Sequence, residues 1–399
     1  MRPVDIIGAG LGPDTLTRQA DQLMARAEVL IGSHRLLAEQ ARPGQATLAA
    51  DRPDQVTAAV LAQGDRRVVV LMSGDVGFHS GATKVAAALR AAGVEVRLTP
   101  GIATPLLLAA RVGVPWQDAC LVSCHGQTVD LVARVRRHRH TIALTGGNIP
   151  QLAAALTAVG YGGLTVWAGQ NLGLADELVA QTTVEQLAQR EWSPLTSLLI
   201  DNPDWDDRVL CGLPDDRFER GEAPMTKSAV RALVSARLAL RPDAVAYDIG
   251  CGTGSVTVEM ALAAHRGQIY AVDRDPAAVA LTKQNCRAFH LANVTVVQGL
   301  APAALADWPD PEAVFIGGAA GRLDEIVAAV VARRPGVQVV VTAIAVETVA
   351  AAVQSMTAAG LYPQFSQLSV AQGRPAGLLH LLMAQNPITV ISGGGRVWD

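Results

Sequence analysis

Lysine is nearly absent from this chain of 399 residues. Lys84, Lys227 and Lys283 are the only three lysines, and arginine supplies the rest of the positive charge. The formal net charge of −3 argues against a protein that binds nucleic acid or another polyanion. Codon bias explains the shortage of lysine, but arginine also binds carboxylates through paired hydrogen bonds, which would suit a polycarboxylate ligand.

Cysteine and long apolar runs are scarce as well. Cys120 and Cys124 have no second pair of Cys or His at a zinc-binding spacing, and the five cysteines do not indicate a disulfide framework. No apolar run reaches the ~18 residues of a membrane span without a charge or a turn signal, and no signal-peptide pattern follows Met1. We therefore expect a cytoplasmic protein with no metal site and no membrane partner.

The length and the apolar content predict more than one domain. Half of the residues are apolar, and the chain is too long for one ordinary domain. Between residues 201 and 221 the sequence becomes polar, acidic and proline-bearing, as domain boundaries often are. We predict one α/β domain over residues 1–203, a linker over residues 204–221 and a second α/β domain over residues 222–399.

A glycine-rich turn organises the second domain. A strand pattern leads through Asp248 into Gly250-Cys251-Gly252-Thr253-Gly254, and a helix pattern and a second strand follow. Asp273 ends that strand, 23 positions after Gly250, where a carboxylate can accept hydrogen bonds from both hydroxyls of a ribose. The Gly-x-Gly-x-Gly spacing and the nearby Asp248 disfavour a pyrophosphate at this turn. The pattern therefore predicts a nucleoside site.

Together with Glu259, this pattern resembles the Rossmann-like class I methyltransferases, which hold S-adenosylmethionine. The segment Pro224-Met225-Thr226-Lys227 resembles the start of decarboxylating corrin methyltransferase domains, in which the Thr contacts the methyl donor. The resemblance implies a substrate contact for Met225 and a catalytic contact of Lys227 with a substrate carboxylate, although an ordinary first-turn lysine explains Lys227 equally well. The implied cofactor-binding residues are Thr226, Asp248, Gly250, Cys251, Gly252, Thr253, Gly254, Asp273, Gly299 and Ala301.

The first half carries a series of strand patterns that end in glycine-bearing turns: Gly8–Pro13, Ser73–Gly77, Thr99–Gly101, Ser123–Gly126 and Thr145–Asn148. This series resembles the class III tetrapyrrole methyltransferases of corrin biosynthesis. The resemblance implies that the first turn borders the substrate and that S-adenosylmethionine lies against the second and later turns. The implied substrate residues are Gly8, Gly10 and Gly12, and the implied cofactor residues are Gly74, Asp75, Val76 and Thr104.

Two residues of the first half leave alternatives open. Val76 stands where the family usually has Pro, which puts the geometry of that turn in question. His125 is a candidate catalytic acid–base group, and a structural imidazole is an equally good interpretation.

The two resemblances together imply an α/β fold in which a two-lobed class III tetrapyrrole methyltransferase domain precedes a Rossmann-like class I domain. The class I domain is expected to have a seven-stranded mixed sheet, closed by a hairpin of residues 362–370 and 378–384. The whole chain resembles the family of fused, decarboxylating corrin methyltransferases of aerobic cobalamin biosynthesis, which methylate C-5 and C-15 and decarboxylate the ring C acetate. By family analogy C-5 belongs to the first domain and C-15 to the second.

The implied cofactor is S-adenosylmethionine at two sites per chain. The implied partners are a small-molecule tetrapyrrole and further copies of the chain in a homo-oligomer.

Three alternatives stay open. One is a single-site class I methyltransferase that acts on nucleic acid and uses the N-terminal half as a binding module. Residues 315–318 lack the Asn/Asp-Pro-Pro-aromatic motif expected of such an amino-nitrogen methylase, and the net charge disfavours it. The second alternative is a methyl-donor sensor without catalysis. The third is that one half is a degenerate scaffold, and Val76 makes the N-terminal half the suspect.

Overall fold

The computed structural model describes residues 2–124, 130–208 and 211–395. The chain divides into two compact units, one with the residues up to Thr157 and Gly162–Trp205, the other with Ala158–Tyr161 and the residues from Asp206 onward. His125, one of the two candidate catalytic residues, lies outside the described residues. Among the helices described, none combines the length and the apolar content that a membrane crossing requires.

The first unit contains two separate β-sheets. The strands described up to residue 205 are β1 Val4–Gly8, β2 Val29–Gly32, β3 Ala46–Ala49, β4 Val68–Met72, β5 Val96–Thr99, β6 Cys120–Ser123, β7 His140–Leu144, β8 Thr165–Gln170, β9 Leu178–Thr183 and β10 Thr196–Asp201. The helices are α1 Arg18–Ala25, α2 His34–Gln40, α3 Pro53–Leu61, α4 Ala82–Ala91, α5 Thr104–Val112, α6 Leu131–Arg137, α7 Ile149–Ala158 and α8 Val184–Leu187.

The sheet near the N-terminus is wholly parallel, with the strand order β3-β2-β4-β1-β5. Its inner strands are continuous apolar runs, as expected for strands that helices cover on both faces, and β2 is buried along its whole length. The second sheet has the order β6-β7-β10-β8-β9 and is mixed, because β6 and β7 are parallel whereas β10 runs antiparallel to both of its neighbours. The α/β fold with two lobes is therefore confirmed.

The strand Cys120–Ser123 does not extend the parallel sheet of the first lobe. The strand pairs with β7 in the second sheet. The alternation of strands and helices continues unchanged through this region, so the local pattern does not reveal where one sheet stops and the next begins.

The second unit is built on one large sheet. Its strands are β11 Val245–Ile249, β12 Gln268–Asp273, β13 Val294–Gln298, β14 Ala313–Ile316, β15 Gln338–Ala343, β16 Gln364–Leu368, β17 Ala371–Ala376, β18 Leu379–Ala384 and β19 Ile388–Gly393. Its helices are α9 Ser228–Leu238, α10 Ser255–Ala263, α11 Pro276–Ala288, α12 Leu323–Arg333 and α13 Val346–Ala358. The strand order β13-β12-β11-β14-β15-β19-β16 confirms the Rossmann-like, seven-stranded mixed sheet.

The strand that closes this sheet differs from the predicted one. Residues 378–384 were expected to pair with residues 362–370, but β19 lies between β15 and β16 and is antiparallel to both. Val390 and Ile391 of β19 are buried at 2% and 0% exposure. The strands β17 and β18 instead form a separate antiparallel hairpin that is exposed along its whole length. Both segments are apolar, and only packing distinguishes the buried one from the exposed one.

Part of the predicted linker packs onto the second unit. Leu213 and Phe218 are 5% and 4% exposed and belong to a core cluster with Val230 and Val234 of α9. Residues 211–218 therefore contribute to the folded second unit, and this packing places them beside the residues that begin α9.

Candidate active sites

Three glycine turns of the first unit meet at one edge of the parallel sheet. They follow β4, β1 and β5, which are adjacent strands, and the carboxyl ends of parallel strands share one edge. Gly10 and Gly74 exchange backbone hydrogen bonds, with N···O distances of 2.8 and 3.1 Å. A Cβ on Gly8 would lie 2.6 Å from both the Gly101 nitrogen and the Gly74 oxygen, so only glycine allows this approach.

Replacing Gly8 with alanine is expected to destabilise the first unit by roughly 3 kcal/mol, because the overlapping atoms belong to backbone and cannot rotate away. The matched control is Gly163→Ala, since a Cβ on Gly163 would meet no atom within 4 Å. Hydrogen exchange of strands β1 and β4 measures the local stability. Exchange of Gly8→Ala at the rate of the unmodified protein would contradict the close approach.

Asp75 orders the turn that follows β4. Its carboxylate accepts hydrogen bonds from the backbone nitrogens of Gly77 at 2.7 Å and of Gly101 at 3.0 Å. Val76, which replaces the usual Pro, packs against the core of the parallel sheet. The carboxylate therefore fixes both the turn and its distance from the next loop.

A cavity of about 720 Å³ in the first unit is bordered by residues from these turns and from the second sheet. Ser73 and Thr104 line it from the parallel-sheet side, and Leu172 and Thr196 line it from the other. Leu11, in the turn that follows β1, also lines the cavity. Among the described residues, the predicted Gly8, Gly10, Gly12, Gly74, Asp75 and Val76 are not part of the cavity wall.

The glycine turn of the second unit is held from two sides. Asp273 accepts hydrogen bonds from the backbone nitrogens of Gly252 at 3.0 Å and of Asp275 at 3.0 Å. A carboxylate oxygen can accept more than one hydrogen bond, so acceptor capacity is left for a ligand. A Cβ on Gly252 would lie 2.8 Å from the Pro224 oxygen, so the glycine lets the segment before α9 approach the turn.

Helix α11 anchors the same turn from behind. The Thr282 hydroxyl donates to the Gly252 oxygen at 3.1 Å, and the Asn285 amide donates to the Thr253 oxygen at 2.8 Å. Both side chains are fully buried. These contacts fix the position of the turn against α11.

A cavity of about 1010 Å³ opens beside this turn and is large enough for a nucleoside cofactor together with part of a second ligand. The predicted residues that line it are Met225, Thr226, Gly250, Cys251, Gly252, Thr253, Asp273, Gly299 and Ala301. The Thr253 hydroxyl oxygen is buried and has no hydrogen-bond partner among the described residues. An orphaned hydroxyl at the wall of a cavity fits a site that is completed by a polar ligand.

Asp248, Gly254 and Lys227 are not among the described residues that line this cavity. Asp248 is fully buried behind the turn, where the Thr257 hydroxyl donates to one of its oxygens. Burial raises the pKa of the Asp248 carboxyl to about 7. The Lys227 ammonium lies 3.9 Å from a carboxylate oxygen of Asp215.

Comparison with known proteins decides the family. Residues 216–393 match the model of the precorrin methyltransferase domain, and residues 4–188 match that of the tetrapyrrole (corrin/porphyrin) methylases. The precorrin-6Y C(5,15)-methyltransferase [decarboxylating] of Sinorhizobium sp. is 34% identical over 348 residues, which are 84% of this chain and 82% of that protein. The chain belongs to the precorrin-6Y C5,15-methyltransferase (decarboxylating) family.

Two further relatives are shorter than this chain. A probable cobalt-precorrin-6B C(15)-methyltransferase (decarboxylating) of Pyrobaculum calidifontis is 40% identical over 184 residues, which are 45% of this chain and 94% of that protein. A crystal structure of a precorrin-6Y C5,15-methyltransferase from Geobacter metallireducens has 33% identity and a TM-score of 0.45, and it covers 47% of this chain and 98% of that one.

As a member of the precorrin-6Y C5,15-methyltransferase family, the chain is a bifunctional, S-adenosylmethionine-dependent and decarboxylating C-methyltransferase of cobalamin biosynthesis. This membership decides against the nucleic-acid methyltransferase alternative.

Several residues of this family member were missed by sequence patterns. Thr282 and Asn285 support the turn of the second unit, and they stand in an ordinary amphipathic helix with no motif around them. Arg35, His79 and Lys84 line the cavity of the first unit and were not singled out as site residues. The predicted catalytic role of Lys227 stays a prediction.

Proposed function

We propose that the second unit methylates C-15 of precorrin-6Y and decarboxylates the ring C acetate, and that the first unit methylates C-5, giving precorrin-8X. One observation carries this division. A relative whose name specifies C(15) methylation aligns with only 184 residues of this chain, and the alignment covers 94% of that relative. The precorrin methyltransferase domain model matches a similar length of this chain, at residues 216–393. The tetrapyrrole methylase model covers residues 4–188, which leaves C-5 for the first unit.

We infer that the functional domains are residues 1–203 and 222–399, joined by residues 204–221, of which residues 211–218 also pack onto the second unit. We also infer a cytoplasmic location, because all five cysteines are free thiols, as is usual in a reducing compartment.

We infer that each unit holds its own S-adenosylmethionine, which supplies a methyl group activated by the sulfonium. In the second unit, Asp273 accepts hydrogen bonds from the ribose hydroxyls with its remaining acceptor capacity, and Thr253 satisfies its orphaned hydroxyl on the cofactor. Gly299 and Ala301 line the same cavity and close it around the base. In the first unit, Thr104 contributes from the wall of the 720 Å³ cavity, and Asp75 holds the adjoining turns in place.

The reaction needs positioning more than acid–base chemistry. The meso carbons of a reduced tetrapyrrole are enamine-like nucleophiles, so the protein contributes most by holding the attacking carbon in line with the methyl group. Met225 and Thr226 line the second cavity and restrict water at the reacting carbon. For decarboxylation, the conjugated ring accepts the electrons of the broken bond, and the protein places and desolvates the acetate.

Two measurements on the intact chain test this function. Calorimetry with S-adenosylmethionine is expected to count two binding sites per chain. Mass spectrometry after reaction with precorrin-6Y is expected to find two added methyl groups and the loss of one carbon dioxide, with two S-adenosylhomocysteines released per product. One nucleoside per chain would contradict independent sites, and no S-adenosylhomocysteine would favour the sensor alternative.

We also propose that the protein is a homo-oligomer and that the hairpin of β17 and β18 forms the contact. Leu379 and Leu382 of this hairpin are 69% and 77% exposed. A two-stranded hairpin is marginally stable alone in water, and an apolar patch of this kind marks a contact surface. Residues 371–384 contain no acidic side chain and one arginine, Arg374, so most of the surface that meets a second copy is uncharged.

Replacing Leu379 and Leu382 together with aspartate is expected to reduce the molar mass in solution to that of a smaller assembly or a single chain, because the contact would bury like charges. Size-exclusion chromatography with light scattering measures this mass. The control is Leu61→Asp, at the end of α3, where the side chain is 40% exposed. A single chain for the unmodified protein, or an unchanged mass for the double variant, would contradict the proposed contact.

A further inference from the structure

The charged side chains that line the cavity of the first unit are all basic among the described residues. Its titratable wall residues are Arg35, His79 and Lys84, and no Asp or Glu is part of the wall among the described residues. The cavity of the second unit differs, because Asp273, Asp324 and Glu347 line it against a single arginine, Arg274. A positively charged wall favours an anionic ligand at this place.

The three basic residues come from the carboxyl edge of the parallel sheet. Arg35 lies in the first turn of α2, which follows β2, and its guanidinium donates to the Ser73 hydroxyl at 3.2 Å. His79 and Lys84 follow β4, the strand next to β2. Three side chains that are far apart in sequence therefore converge on one wall because their strands are neighbours.

The backbone at His79 supports a functional role for this wall. His79 has a φ of 46°, a left-handed conformation that is uncommon for residues other than glycine. Such conformations persist where the surroundings impose them, and they concentrate at ligand-binding sites. The ring of Phe78 packs edge-on against the imidazole, with 4.7 Å between ring centroids. This packing holds the imidazole where it lines the cavity.

Lys84 is freer than Arg35 to pair its charge with a ligand. Arg35 forms an ion pair with Glu39, with N···O distances of 3.0 and 3.2 Å, so its charge is largely balanced. Lys84 forms no ion pair with a carboxylate of the described residues. The ammonium is a compact charge on a flexible stem, which suits a carboxylate whose position varies along a ring periphery.

We propose that Lys84, with His79 and Arg35, binds the peripheral carboxylates of the tetrapyrrole in the first unit and so sets which meso carbon faces the methyl donor. This inference rests on the proposed C-5 methylation by the first unit. The acetate and propionate groups of the macrocycle carry the negative charge, and the basic wall orients the ring before the methyl group is transferred. Lys84 acts by binding substrate and takes no part in proton transfer.

The test compares the full-length protein with Lys84→Met, Lys84→Arg and the control Lys283→Met, an exposed lysine of the second unit. Methylation at C-5 and at C-15 is measured separately by NMR with ¹³C-methyl-labelled S-adenosylmethionine. We expect Lys84→Met to raise the KM for precorrin-6Y at C-5 roughly fivefold or more, since one charge contact is lost. The KM for S-adenosylmethionine and the C-15 reaction are expected to stay unchanged, and Lys84→Arg is expected to restore most of the affinity.

Salt gives a second readout. The KM for precorrin-6Y at C-5 is expected to rise with salt in the unmodified protein and to rise less steeply in Lys84→Met. An unchanged KM in Lys84→Met, or an equal rise in the KM for both substrates, would overturn the role of Lys84 while C-5 methylation stands. Absence of the C-5 product from the unmodified protein would instead overturn the proposed function of the first unit.

Discussion

Replacing Asp273 with alanine is expected to reduce C-15 methylation roughly 100-fold or more and to leave C-5 methylation at its normal rate. The substitution removes the acceptor of the Gly252 N–H at 3.0 Å and, in the proposed complex, the acceptor of the ribose hydroxyls. Hydrogen bonds to a charged group contribute about 1.5–3 kcal/mol each, and 1.4 kcal/mol corresponds to a factor of ten. Loss of two such bonds therefore accounts for the expected effect.

The ¹³C-methyl signals of the product give the rate of methylation at each carbon. Calorimetry counts the remaining nucleoside sites. Asp243→Ala is the matched control, because this carboxylate is 57% exposed and pairs with Arg241 at the surface. Both reactions are expected to continue in the control. Loss of both methylations in a folded Asp273→Ala protein would show that the two units do not have independent sites.

Replacing Arg231 with methionine is expected to destabilise the second unit by about 3–5 kcal/mol. The Arg231 side chain is fully buried, and its guanidinium forms ion pairs with Glu259 at 2.8 Å and Asp215 at 2.9 Å. It also donates to the carbonyl oxygens of Thr226 and Leu213. Without the arginine, the Glu259 carboxylate is left buried and without its positive partner, which is the costly outcome for a buried ion pair.

The same substitution is expected to loosen the wall of the second cavity. Arg231 ties the Thr226 carbonyl to residues 213–215, and its guanidinium lies 4.6 Å from the ring of Phe218. Hydrogen exchange of β11 and β14 measures the stability of the second unit, and β1 and β4 report on the first.

The control for Arg231 is Arg241→Met, since Arg241 is 64% exposed and its surface pairs contribute less than about 1 kcal/mol. Exchange in β11 and β14 is expected to accelerate in Arg231→Met only, while β1 and β4 exchange normally in both variants. Slow exchange throughout Arg231→Met would mean that the buried pair does not stabilise this unit.

Local patterns predicted the parts of the sites that are made by one continuous stretch of chain. The turn at residues 250–254 and Asp273 lie within one β-turn-α-β unit, so the spacing in sequence determines their distance in space. The structure brings Asp273 to the turn through a hydrogen bond to Gly252. The glycine turns of the first unit were predicted for the same reason, because each directly follows a buried strand.

Side chains from separate elements were not predictable in this way. Arg231 meets Glu259 and Asp215 across 28 and 16 positions of sequence, and no pattern links an arginine in one helix to a glutamate in the next. The basic wall of the first cavity likewise depends on β2 and β4 being neighbours. Strand order is a property of the assembled sheet, and strand patterns alone are compatible with several orders.

The sequence by itself determined that this protein has two α/β parts, and it predicted a nucleoside site of the class I type and glycine turns of the class III type. Those features are local, since hydrophobic periodicity and glycine spacing act within one or two elements. Only the tertiary structure decided that β19 closes the sheet while Leu379–Ala384 stays exposed, and that Asp248 lies behind its turn. Burial depends on what the rest of the chain places over a segment, and here the exposed Leu379–Ala384 is the more apolar of the two segments.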